Sequence, residues 1–249
     1  MEPSCPGLVT ASPGVPVDDE PPGHGPGGQR SEQSFDLRDG QRDHTGFGGR
    51  WLVGPDRGRR LGAGAVLELA SWAQQLAQAL LQDPLPRRWA HVQGVATRAR
   101  GLASVLVADA DLLEAAAWLY DIGYAPSLAA TGLHQLDGAR YLRDAQHADA
   151  MLCRLVAHHS CAIIEAGERG LANVLSAEFD PAPDVLASVL TCCDMTTSPD
   201  GQPVRVERRL AEIHARYGPG DLVSRSIQHA TPMILRAVEQ VHHRAAQTT

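Results

Sequence analysis

The chain has 249 residues, 43% hydrophobic but only 4% aromatic, so it can bury a sizeable core built mainly of Ala, Leu and Val. Its 22 basic residues are all arginine and are scattered, and its formal charge is −7, which argues against a general nucleic-acid binder, where a concentrated basic face is needed. No stretch reaches the roughly 18 uninterrupted apolar residues of a membrane span, and no basic-then-apolar leader opens the chain, so the expected location is cytoplasmic.

Residues 1–60 hold 12 of the 24 glycines and 8 of the 17 prolines, with little apolar periodicity. Such a composition buries too little surface to offset ordering entropy, and the segment is expected to be a disordered extension. From residue 61 to about 246 the texture is helical throughout. Residues 64–82 are amphipathic, with Val66, Leu69, Ala73, Leu76 and Leu80 among the apolar face, and Asp83-Pro84 with Pro86 breaks the helix. A second helix spans about 87–106 and carries His91, Val95, Ala99 and Leu102 on one stripe. A third opens at Asp111, where Asp111-x-x-Glu114 has the form of a capping box, and ends near Gly123. After a looser segment, 124–134, helices are expected at 136–146, 149–160 and 182–195, then a turn at Pro199-Asp200-Gly201, then helices at 204–217 and 221–246. No alternating pattern of useful length suggests a strand, so the class is all-α. The five cysteines, Cys5, Cys153, Cys161, Cys192 and Cys193, lack metal-ribbon spacing and read as small buried hydrophobes.

Most histidines fall in the glycine-rich tail or at polar positions. Six other side chains stand at the ends or on the apolar faces of helices: His91, Asp121, His134, His158, His159 and Asp194. Asp121 follows Ala115-Ala116-Ala117-Trp118-Leu119-Tyr120, where a carboxylate is costly to bury unless it is paired or metal-bound. Mixed imidazole and carboxylate donors suit Mn, Fe, Zn, Ni or Mg better than soft metals. Asp137 is either a partner of His134 or a helix cap.

The ordered set resembles the HD-domain metal-dependent phosphohydrolases. The resemblance runs over roughly residues 85–200 and rests on Arg88-Trp89-Ala90-His91, Trp118-Leu119-Tyr120-Asp121-Ile122-Gly123, His134-Gln135-Leu136-Asp137-Gly138, Ala157-His158-His159-Ser160 and Cys193-Asp194-Met195. It implies a helical bundle with one or two divalent metals per chain. His91, Asp121 and Asp194 would serve the first ion, and His134, His158, His159 and a bridging Asp121 the second. The adjacent His-Asp pair that names the family reads Tyr120-Asp121 here. Three readings stay open: Tyr120 ligates as phenolate, water stands in for the imidazole, or the first site is lost. The implied reaction is hydrolysis of a small phosphorylated molecule, nucleotide-like in size, with Asp121 as the catalytic carboxylate and Arg140 and Arg225 as candidate phosphate-binding groups. A di-iron oxygenase, or a module that binds ligand without turnover, would use the same positions.

Overall fold

The computed structural model describes residues 68–106 and 109–248; the expected N-terminal extension, 1–60, lies outside them. The described residues form helices α1 (Leu69–Leu81), α2 (Pro86–Leu106), α3 (Ala110–Leu119), α4 (His134–Asp144), α5 (Ala150–His158), α6 (Ala162–Glu168), α7 (Ala172–Glu178), α8 (Asp184–Met195), α9 (Val206–Tyr217) and α10 (Leu222–Thr248). Short 3-10 turns follow α3 (Ile122–Tyr124) and α5 (His159–Cys161). No strand occurs among these residues beyond a single bridge between Thr197 and Pro203. The protein is all-α, and no described helix is long and apolar enough to cross a membrane.

The core is made by small side chains that let helices approach closely. α3 is buried along nearly its whole length, with Leu113, Ala115, Ala116, Ala117 and Leu119 fully inaccessible, and it packs between α1 and α2. A helix apolar on all sides belongs in an interior. α8 crosses the centre, touching α2, α3, α5 and α10. Trp89 of α2 stacks on Trp118 of α3 with ring centroids 5.6 Å apart. Glycine permits two backbone approaches. A Cβ on Gly94 would lie 2.3 Å from the carbonyl oxygen of Gly201, and one on Gly123 would lie 1.9 Å from that of His134. The first contact seats the turn after α8 on α2; the second seats the turn after α3 on the start of α4.

Three expectations change. The capping box at Asp111 is not formed: Asp109 is the residue before the helix, and Glu114 instead bonds Arg100 of α2 at 3.0 Å. That bond ties α3 to α2 where a cap would have served α3 alone. The helix expected from 136 starts at His134, because the carboxylate of Asp137 accepts the amides of Ala130 and Thr131 and folds the preceding loop back onto the helix. Between residues 160 and 182, where no helix was expected, the chain forms α6 and α7. Both are only seven residues long, too short for a strong periodic signal.

Candidate metal centre

Asp121 stands between α3 and its 3-10 turn, and His134 is the first residue of α4. The Gly123–His134 backbone approach therefore fixes the two side chains relative to each other. His159 comes from the end of α5, where the helix stops abruptly: its own backbone is extended, and Ser160 and Cys161 take positive φ angles of 47° and 63°. Two consecutive non-glycine residues in the left-handed region store strain of order 1–3 kcal/mol each, which the surrounding packing must sustain.

This break separates the adjacent histidines. His159 points inward, within 3.8 Å of Asp121 Oδ1, while His158 turns to the carbonyl of Phe179 at 2.7 Å. The structure thus brings Asp121, His134 and His159 together, with one donor atom from each lying within 4.8 Å of the others, all three residues buried. His158 does not join them. His134 Nε2 lies 3.1 Å from His159 Nε2 and 3.4 Å from Asp121 Oδ1. His159 Nδ1 faces the carbonyl of Val156 at 2.8 Å, so this nitrogen carries the proton and the Nε2 lone pair is directed into the cluster. Burial, with His134 beside it, pushes the His159 imidazole down to about 4, which keeps that lone pair free at neutral pH. Burial alone would raise the Asp121 carboxyl, but the Arg88 guanidinium at 2.7 Å and the two imidazoles hold it well below the usual carboxylate range. Two imidazole nitrogens and a carboxylate oxygen converging from buried residues suit a hard or borderline cation.

His91 and Asp194 form a second pair beside this cluster. His91 Nε2 is 3.1 Å from Asp194 Oδ1, and its Nδ1 faces the Ser198 carbonyl at 2.9 Å. The other oxygen of Asp194 accepts from the Ser160 hydroxyl, which the left-handed backbone at Ser160 aims there. Both partners are spent on neighbours.

Tyr120 lies between the two groups, its ring centroid 6.2 Å from that of His91 and 4.9 Å from that of His159. It is almost wholly buried, and its hydroxyl has no hydrogen-bond partner among the described residues. Burial and the charges of Asp121 and Asp194 push its phenol well above the ordinary range, so the neutral hydroxyl is the stable form.

Neither arginine singled out in the sequence reaches the cavity that holds these groups. Arg140 and Arg143 of α4 share Glu178 of α7, and Arg225 of α10 bonds Glu168 of α6 at 3.1 Å. Each links two helices. The cavity is lined instead by Arg88, Arg209 and Arg216, together with Tyr124, Gln135 and Glu165. Tyr124 stacks on the His134 ring at 3.9 Å, and the Arg88 guanidinium lies 3.6 Å over Tyr124. Arg88 had a sequence signal, since it precedes His91 by one helical turn on the same face.

A family model described as HD domain matches residues 88–196. No curated protein and no solved structure matches the chain.

Proposed function

The chain belongs to the HD-domain family through residues 88–196, and from that premise we propose that it hydrolyses a small phosphate ester at one divalent metal ion held by Asp121, His134 and His159. The observation that carries this reading is the convergence of those three donors, with the His159 ring oriented by the Val156 carbonyl. Three protein ligands leave coordination positions open for water and substrate. When bound, the ion supplies Lewis acidity to the phosphoryl group and lowers the pKa of water toward neutrality.

The residues around it have defined work. Asp121 offers one carboxylate oxygen to the imidazole cluster and the other to Arg88, so it stays ionised and oriented. Arg88 is within reach of the same space and neutralises charge on an incoming phosphate. The stacked Tyr124 holds the ring plane of His134. One ion is preferred to two because His91 and Asp194 are satisfied by each other, Ser198 and Ser160, and because Tyr120 offers a neutral hydroxyl where the family has an imidazole.

The test is metal analysis of protein purified without chelator, combined with hydrolysis of p-nitrophenyl phosphate. The native chain is expected to hold one Mn, Fe, Zn or Ni ion, and His159→Ala to weaken metal binding by about 100-fold or more while His158→Ala leaves it intact. No metal in the native protein, or equal losses in the two variants, would refute the assignment.

A further inference from the structure

The cavity above the imidazole cluster has a second wall that comes from outside residues 88–196. α9 and the start of α10 contribute Arg209, Ile213, Arg216, Tyr217, Val223 and Ile227 to it. Along α9 the inward stripe reads Val206, Arg209, Ile213 and Arg216, so arginines occupy positions of a repeat that normally carries core hydrophobes.

Arg209 is the unusual member. Only 7% of it is exposed, and its Nε has no hydrogen-bond partner among the described residues. Its guanidinium Nη1 bonds Glu212, three residues along the same helix, and Arg216 shares that carboxylate at 3.2 Å. Other arginines join separate parts of the fold: Arg140 and Arg143 to α7, Arg154 to the carbonyls of Asp180 and Pro181, Arg225 to α6. Arg169 also bonds an acid of its own helix, Glu165, but its side chain is 25% exposed where that of Arg209 is 8%. Among the described residues, Arg209 bonds only within its own helix. A guanidinium is costly to bury, and a fold gains little from one that is partnered only within its own helix. Arg209 lines the same cavity as Asp121, His134, His159 and Asp194.

We infer that Arg209 is the phosphate-gripping side chain of this protein, and that α9 and α10 form its substrate-recognition wall. The inference rests on the proposed hydrolase reading and names its substrate class: a phosphate monoester whose organic group is compact and largely apolar. Among the lining side chains three arginines face three carboxylates, and Glu212 bonds two of those arginines, so a divalent ion leaves the wall net positive. That excess complements a monoester dianion, which carries a charge of about −1.5 to −2 at neutral pH. The guanidinium fork supplies paired N–H donors to phosphate oxygens. Ile213, Val223 and Ile227 offer the organic group an apolar seat, and the Tyr217 ring closes it.

Calorimetric titration with inorganic phosphate tests this on the full chain, as purified and after metal removal, with metal content measured separately. Arg209→Met is expected to weaken phosphate binding about tenfold or more in both forms, and Arg209→Lys to weaken it less. Arg208→Met, on the exposed side of the same helix, is expected to change nothing. Glu212→Gln keeps Arg209 and removes the acid that competes for it, so it is expected to tighten phosphate binding; this variant does not depend on Arg209→Met folding. A native chain that lacks metal defeats the hydrolase reading, while the metal-free titration still decides the role of Arg209. The inference is overturned if Arg209→Met binds phosphate within about twofold of the native chain, if Glu212→Gln binds it more weakly, or if the native chain binds none in either form.

Discussion

Replacing Gly123 by alanine probes whether the metal centre depends on backbone contact rather than on its ligands alone. The new Cβ would lie 1.9 Å from the His134 carbonyl oxygen and 2.7 Å from the Gly138 nitrogen, whereas real Cβ contacts essentially never fall below 3.0 Å. Neither obstacle is a side chain that can rotate away. The first turn of α4 must therefore retreat by roughly 1 Å, a displacement large enough to disable a positioned site. Overpacking of this kind costs typically 1–3 kcal/mol, and with backbone on both sides the expected loss is about 3 kcal/mol. His134 moves with its backbone. Ligand distances tolerate only about 0.2 Å, so metal affinity should fall by about tenfold or more alongside stability. Urea unfolding and metal content, measured on the same preparation, read the two effects. Gly101→Ala is the control: no described atom outside its own helix backbone lies within 4 Å of its Cβ, and within α2 the change should stabilise by about 0.5–1 kcal/mol. Native stability with a full metal complement in Gly123→Ala would refute the view that this glycine contact sets the ligand geometry.

Two further outcomes follow from the buried polar groups. In metal-free protein, the His159 imidazole titrates near 4 in the fold and near 6.5 in the unfolded chain, so the unfolded state takes up its proton first as pH falls. Its contribution is complete above pH 6.5 and declines by about 3 kcal/mol by pH 4; His159→Gln should flatten that limb in urea titrations across this range, and an unchanged curve would count against neutral, buried His159. Below pH 4 the further loss comes from carboxyls held below the usual range, Asp121 and Asp194 at the site and Glu178 and Asp144 elsewhere. Tyr120→Phe removes a buried hydroxyl without a partner, and should leave stability unchanged or raise it by about 1 kcal/mol, with metal content the same. A loss of metal in that variant would instead make the phenol a ligand.

The helices and the cluster were legible to different depths, for physical reasons that differ between residues. Long amphipathic segments declared themselves by period, and the apolar run before Asp121 marked that carboxylate as buried because burying it alone is expensive. The separation of His158 from His159 was not readable. Both follow the apolar stripe Leu152, Leu155, Val156, and only the break at Ser160 and Cys161, neither a glycine, sends one ring into the cluster and the other to Phe179. Arg140 and Arg225 looked plausible because arginine suits phosphate, yet their acids, Glu178 and Glu168, lie 38 and 57 residues away in sequence, beyond any local pattern. Arg209 was missed for the opposite reason: its acid is near, at Glu212, and the pair resembles an ordinary surface salt bridge on a helix. What distinguishes it is the stripe it shares with Val206 and Ile213, where a charge is out of place unless something anionic meets it. A cation at a core position of an otherwise regular helix therefore carries more functional information than a cation with an acidic neighbour, and its orphaned Nε is the structural counterpart of that signal.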